Sequence, residues 1–353
     1  MLRDILFYIN RVSKFFRETF LFLVTLIRHW REKRGANADI RVAYNGYSSG
    51  PKKDWFYIFM KELTGAQIAV SWYKPSLIIC SSFGSFWLLK VILWAAKAPS
   101  LFFTEENLST LKKYREYRTY LAGQPSLAMG FDYSSAANYR RFPLWLMYLF
   151  PAEFAATASV ALIQQRLNQI EKQCFHPKTK FAAMIASHDG YASNKKVFGC
   201  TQNTSRSAIT KQLTTIDFVH CPGKLLHNDD SLLAEYNDNK ISYLKHFVFN
   251  ICAENAAVKG YVTEKIFEAI DGGTIPIYWG AENPEPNILN QQRIIFWNEC
   301  EIEQTLTKVK KLYMDADARA GFLRQPIFTS DAAVEIHYYF EQLRNDLKKL
   351  LRK

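Results

Sequence analysis

The chain lacks every framework that cysteine usually builds. Among its 353 residues are six cysteines, Cys80, Cys174, Cys200, Cys221, Cys252 and Cys300, with no Cys-x-x-Cys pair and no disulfide spacing. A stapled secreted scaffold is therefore not expected. Several cysteines lie inside apolar runs, such as Cys80 in LIIC and Cys252 in FNIC, and read as buried free thiols of a reducing compartment. Also missing is any zinc-finger spacing or RNA-recognition signature, so nucleic acid is not an expected partner. No Walker pattern is present. Asp315-Ala316-Asp317 has the form of a metal-binding Asp-x-Asp, but it sits in a charged helical stretch and reads as helix surface. His220, Cys221, His227, Asp229 and Asp230 cluster without any zinc-site spacing, so no metal is expected. Internal repeats and low-complexity segments are absent.

What is present is length, apolar content and positive charge. A chain this long is comfortable for two domains, and 48% hydrophobic residues suit a large core. The formal net charge of +12 points to phosphorylated ligands or anionic lipid.

The basic residues concentrate at the ends. Over residues 1–34, Ile5, Ile9, Val12, Phe16, Phe20, Leu23, Ile27 and Trp30 recur at helical spacing, with eight Lys and Arg against three acids. The longest charge-free run there, Thr19 to Ile27, is too short to span a bilayer, which takes about 20 residues. No small-residue cleavage site follows, so a signal peptide is not expected. The segment reads as a basic amphipathic helix, either lying on an anionic membrane or packed on the body of the protein. His337 to Lys353 is a second basic amphipathic helix, read as docked on the body with solvated lysines. A cytoplasmic protein, peripheral on the inner face of the membrane, fits both ends.

Between these ends strands alternate with helices. Asp39–Gly46, IAVSW, Ser76–Ser82 and SLFFTEEN read as strands, and Trp55–Leu63 and Phe86–Lys97 as helices. Ala152–Gln173 reads as one long helix, without glycine or proline, that could join two domains. A second set follows. Lys180–Ser187, IDFVHC, Phe247–Asn255 and TIPIYWG are strands, and Ser205–Leu213 is a helix. The alternation predicts α/β architecture with parallel sheets, as two Rossmann-like halves around a cleft. The divisions expected are 1–34, 35–155, 156–335 and 336–353.

The stretch KGYVTEKIFEAIDGGTIPIYWG, Lys259 to Gly280, carries the chemistry. An apolar strand ends at Glu254 and Asn255, a loop leads through Gly260 into a helix, and Gly272 and Gly273 suit its C-terminal cap. Such a βαβ unit binds ligands where strand ends meet a helix N-terminus, and free amides there favour phosphate. Lys265 adds a full charge, and Tyr261 adds a hydroxyl donor. Glu264 would repel phosphate, so it suits a sugar hydroxyl or developing positive charge on a sugar ring. A nucleoside-diphosphate-sugar pocket and an ordinary capped helix both accommodate these residues.

FVFNICAENAAVKGYVTEKIFEAIDGGTIPIYWG resembles the signature of the α1,3-fucosyltransferases, glycosyltransferase family 10. SLIICSSFGS, FFTEEN, GFDY, RRFPLW and FAAMIAS follow in the family's order, so the resemblance runs from about Ile40 to Pro326. It implies a GT-B fold, with an acceptor-side domain and a GDP-fucose domain facing across a cleft. It also implies inverting displacement of GDP without a required metal or cofactor. The general base would be Glu106, last acid of Thr104-Glu105-Glu106-Asn107, although Glu105 replaces the family's glycine. Lys265, Tyr261 and Arg206 would hold the diphosphate, Asn255 the nucleoside, and Glu264 the donor sugar. Where the family has an aromatic before Glu-Asn, Ala253 stands here. The segment after Asn107 is longer and more basic than in the family and borders the acceptor side. The implied reaction moves L-fucose to the 3-hydroxyl of a GlcNAc-type residue in an oligosaccharide acceptor. Lipopolysaccharide or another lipid-linked glycan would suit the basic termini. The same architecture with another nucleotide-sugar donor is the alternative.

Overall fold

The computed structural model describes residues 2–47, 51–109, 116–121, 123–189 and 202–352. They form two compact units. One comprises Met1–Phe142, Phe150–Thr157 and Tyr339–Lys353, and the other Pro143–Leu149 and Ala158–Tyr338.

In the first unit helix α1 (Leu2–Arg31) precedes β1 (Ile40–Asn45), α2 (Trp55–Thr64), β2 (Ile68–Val70), β3 (Leu77–Ser81), α3 (Phe86–Ala95), β4 (Ser100–Phe103), β5 (Leu127–Gly130) and β6 (Tyr139–Arg141). The strands make one parallel sheet in the order β2-β1-β3-β4-β5-β6. Every residue of β3 and β4 is buried, as expected of strands covered on both faces. Strands β5 and β6, at one side of the sheet, were not expected. Each has only three or four residues, too few for a periodic signal to stand out. One layer of core joins Ile78, Leu89, Phe102, Tyr117 and Tyr120. Helix α2 starts where Asp54 accepts from the Tyr57 amide at 3.2 Å and ends at Gly65 in the left-handed region, φ 66°.

The second unit contains α4 (Trp145–Leu149), and after α5 (Ala152–Thr157), which belongs to the first unit, it resumes at α6 (Val160–Lys172). The single helix expected over Ala152–Gln173 is thus two. Ser159 is extended and its hydroxyl accepts from the Leu162 amide at 3.3 Å, so it restarts the helix as a cap. Then come β7 (Lys180–Ala183), α7 (Arg206–Leu213), β8 (Val219–His220), α8 (Ser231–Ala234), α9 (Lys240–Leu244), β9 (Phe247–Ala253), α10 (Glu264–Asp271), β10 (Ile275–Trp279), β11 (Ile295–Phe296), α11 (Ile302–Met314), α12 (Ala316–Leu323) and α13 (Ala332–Leu351). Their sheet is parallel too, in the order β11-β10-β9-β7-β8. Strand β9, wholly buried, lies at its centre. Asp315 caps α12 by accepting from the Ala318 amide at 2.9 Å, which places the Asp-x-Asp sequence at a helix start.

The two terminal helices do not stand apart. Helix α1 and the end of α13 from Tyr339 onward both fall within the first unit. Phe15 and Phe22 of α1 pack on its core, and buried His29 accepts from the Trp72 amide through Nδ1 at 3.0 Å.

Candidate active site

In the second unit the site is built at the carboxyl end of β9. The strand stops at Ala253, and the Glu254 amide still reaches the Trp279 carbonyl of β10 at 2.8 Å. The Glu254 side chain is buried and accepts twice from Thr263, from the amide at 2.7 Å and from the hydroxyl at 2.7 Å. Thr263 is the N-cap of α10 but makes no cap bond with its own side chain. The buried carboxylate of the preceding strand holds the helix start instead. Between them the chain turns at Gly260, whose φ of 81° lies in the left-handed region that glycine enters at no steric cost.

Lys265 sits in the first turn of α10. Its ammonium donates to the Thr263 hydroxyl at 2.8 Å and to Glu264 at 3.2 Å, and lies 3.5 Å from Glu254. Burial alone would lower the Lys265 pKa, but the carboxylates of Glu264 and Glu254 outweigh it and leave the group above its ordinary value. Burial would raise Glu264, yet Lys265 brings it below its usual range. Burial keeps Glu254 above its own, against the pull of Lys265.

Arg206 opens α7, whose N-cap Ser205 accepts from the Ala208 amide at 3.1 Å. The guanidinium is buried and clamps the end of β9. Nε and Nη2 donate to the Ala253 carbonyl at 3.0 and 2.8 Å, and Nη2 also reaches Asn255 Oδ1 at 2.9 Å. Nη1 donates to the His188 carbonyl at 2.7 Å. Asn255 then donates to the Tyr261 hydroxyl at 3.3 Å. Arg206, Asn255, Tyr261, Glu264 and Lys265 therefore meet at one strand end. The Tyr261 side chain is buried, with its hydroxyl turned to Asn255.

Two further residues shape this site. Glu254 is the first. Its signal was a lone acid closing a strand whose one other polar residue is Asn250, FVFNICAE. Trp145 is the second, from the RRFPLW sequence. Its ring stacks on Phe267 of α10 at 4.0 Å, and its Nε1 donates to buried Glu285 at 3.0 Å. The stack fixes the apolar face of α10, and so the angle of its N-terminus.

In the first unit Glu105 and Glu106 follow β4 and are both half-buried. The Thr104 hydroxyl donates to the Glu106 carbonyl at 2.8 Å, accepts from its amide at 3.2 Å, and pairs with Ser82 at 3.2 Å. The backbone of Glu106 is thereby locked beside the loop after β3. Two groups at the end of β1 were missed. Asn45 Oδ1 and the Tyr47 hydroxyl are buried, and neither has a hydrogen-bond partner among the described residues. Burial, and then the carboxylates of Asp54 and Glu105, push the Tyr47 hydroxyl well above its ordinary range. The sequence showed this stretch only as a strand running into a turn.

Among the described residues no group of three or more His, Cys, Asp or Glu could hold a metal. His220 instead shares a hydrogen bond of 2.8 Å with Asp229, and His227 one of 2.9 Å with Asp230. Part of the segment after Asn107, residues 110–115 and 122, lies outside the described residues, as does 190–201 with Cys200. Cys80, Cys221 and Cys252 are free and buried, whereas Cys300 is exposed.

Two parallel sheets, each with a charged carboxyl edge, define the class: this is the GT-B glycosyltransferase fold. A crystal structure of an α1,3-fucosyltransferase with GDP-fucose matches it at a TM-score of 0.58 and 19% identity, over 89% of this chain and 90% of that one. HepE of Anabaena, in complex with UDP and glucose, matches at a TM-score of 0.52 and 10% identity, over 88% of this chain and 100% of that one. Residues 176–319 match the glycosyltransferase family 10 (fucosyltransferase) C-terminal model, the family that the motifs resemble. The α-(1,3)-fucosyltransferase FucT of Helicobacter pylori is 27% identical over 274 residues, which cover 74% of this chain and 53% of that protein. The chain thus spans about half the length of this curated relative.

Proposed function

We propose that the protein is an inverting α1,3-fucosyltransferase that uses GDP-fucose. The observation that carries the reading is the convergence of Arg206, Asn255, Tyr261, Glu264 and Lys265 about the start of α10. Lys265 and Arg206 supply fixed positive charge for the diphosphate, beside the free amides of a helix N-terminus. Glu264, kept ionised, stabilises positive charge developing on the fucose ring. In the first unit Glu106 accepts the proton of the acceptor hydroxyl as its oxygen bonds to the anomeric carbon. The bond from that carbon to the β-phosphate oxygen breaks on the opposite side, and GDP leaves with the electron pair. The unpartnered Asn45 carbonyl oxygen and Tyr47 hydroxyl are suited to sugar hydroxyls of the acceptor. Positive charge of this chain takes over the neutralising role a metal would have, so none is required.

The acceptor we infer is a GlcNAc-containing glycan, lipopolysaccharide or a related lipid-linked one, met at the inner face of the membrane. The exposed apolar and basic surface of α1 supports that location. Among the described residues no helix is long and apolar enough to cross a membrane.

The test is GDP release from GDP-fucose with and without N-acetyllactosamine. Acceptor-dependent release is expected. Release from a UDP-sugar, with GDP-fucose inert, would move the assignment to a different donor on the same fold. Saturable GDP binding without release would retain the donor and redirect the acceptor.

A further inference from the structure

Helix α1 half-buries one side and leaves the other bare. Phe16 and Phe20 are each 66% exposed. Helix α3 does the same in a place where the sequence showed only an apolar helix of an α/β sheet. Its Trp87 is 55% and its Trp94 87% exposed. A tryptophan that bare on an α/β domain is costly in water, and two on one helix call for a covering surface.

The two bare faces are one. A trough of about 930 Å³ is walled by Val12, Phe15 and Phe16 of α1 and by Trp87, Val91 and Trp94 of α3. A second of about 1040 Å³ continues from Val91 to Ile27 and Trp30 of α1 and ends on Leu351 of α13. Val91 lines both, so the apolar surface runs on between α1 and α3 and reaches the last turn of α13. That turn carries exposed Lys348 and Lys349. Lys90 lies in the wall of the first trough, and Arg41, Lys74 and Lys97 in that of the second. No acidic residue occurs between Glu62 and Glu105, the whole stretch that supplies α3 and its flanks.

We propose that α1, α3 and the last turn of α13 form a single docking face for an anionic phospholipid bilayer. This rests on the peripheral membrane location argued above, and assigns it to three elements far apart in sequence instead of to α1 alone. Charge complementarity selects the occupant: a continuous apolar surface bordered by Lys and Arg matches acyl chains beneath anionic headgroups. Tryptophans at its border suit the interfacial layer. Because α1 is also packed on the core through Phe22 and His29, the face is preformed and needs no folding on contact.

The experiment is vesicle flotation of the full chain on phosphatidylcholine alone and on phosphatidylcholine mixed with phosphatidylglycerol. The variants are F16S/F20S in α1, W87S/W94S in α3 and K348E/K349E in α13, all exposed positions, with GDP binding as the check on folding. The wild type is expected to float only with phosphatidylglycerol present. W87S/W94S should lower partitioning by about tenfold or more, as F16S/F20S does. K348E/K349E should lower it by about fivefold to tenfold. If F16S/F20S abolished flotation while W87S/W94S and K348E/K349E floated like the wild type, the three-element face would be overturned and the α1 location kept. If the wild type floated with neither vesicle, both would fall. If it ran as a dimer that W87S/W94S dissociated, the face would be an interface between copies, and the membrane assignment would be withdrawn.

Discussion

Asp54 and Glu254 perform the same task in different electrostatic settings. Each is a buried carboxylate at the start of a helix, Asp54 at α2 in the first unit and Glu254 at α10 in the second. Asp54 accepts from the Tyr57 amide and from the Tyr44 hydroxyl at 3.1 Å, both neutral donors. Glu254 has Lys265 3.5 Å away. Burial raises both, and Asp54 reaches about 6. The second unit thus assembles its charged site in advance, with each carboxylate near a cation. The first leaves a carboxylate and two buried polar groups, Asn45 Oδ1 and the Tyr47 hydroxyl, without such compensation. On the proposed reading, the charged site of the second unit suits a donor carrying two phosphates.

Single substitutions should affect the two units differently, and Glu106 should matter most. Glu106→Ala should reduce kcat by about 10²- to 10⁴-fold with GDP affinity unchanged, measured by turnover and calorimetry side by side. Retained turnover would transfer the base role to Glu105. Lys265→Ala should lower kcat/KM by about 10²- to 10³-fold and weaken GDP binding as well. Lys265→Arg should recover part of both, since charge returns with altered geometry.

Trp145→Ala removes the stack on Phe267 and the Glu285 hydrogen bond, and should cost about 3–5 kcal/mol in urea unfolding. Asp54 gives a pH signature. Its pKa is raised on folding, so it contributes stability below about pH 4, which is lost as pH rises to about 6, as much as about 3 kcal/mol. Asp54→Asn keeps the cap and should flatten that interval. A slope left unaltered would show that Asp54 is not the group titrating. Glu254→Gln, the smallest effect, should cost about 1–3 kcal/mol, because the amide cannot accept from both Thr263 donors and leaves Lys265 less compensated.

Much of the second unit was legible because its signals are local. Strand β9 is apolar except for Asn250, α10 has a periodic face, and Gly272 and Gly273 end it, so their order could be read directly. The break at Ser159 was not. Nothing in helix propensity forbids serine there, and it is its extended backbone and the hydrogen bond it accepts from the Leu162 amide that show a cap. Strands β5 and β6 were invisible, since a few residues carry no period. The roles of Glu254 and Trp145 escaped because their partners, Thr263 and Phe267, come from other elements.

Local sequence sets the alternation of strands and helices, the strand–loop–helix unit at Lys259 to Gly280 and the identity of its charged residues. These follow from periodicity and from side-chain chemistry within a few positions. Tertiary structure decided which of those charges neutralise one another, which polar groups stay unpartnered, and that α1, α3 and the end of α13 share one apolar face. Burial and Coulomb energy depend on neighbours brought together across the fold, and no local pattern records them.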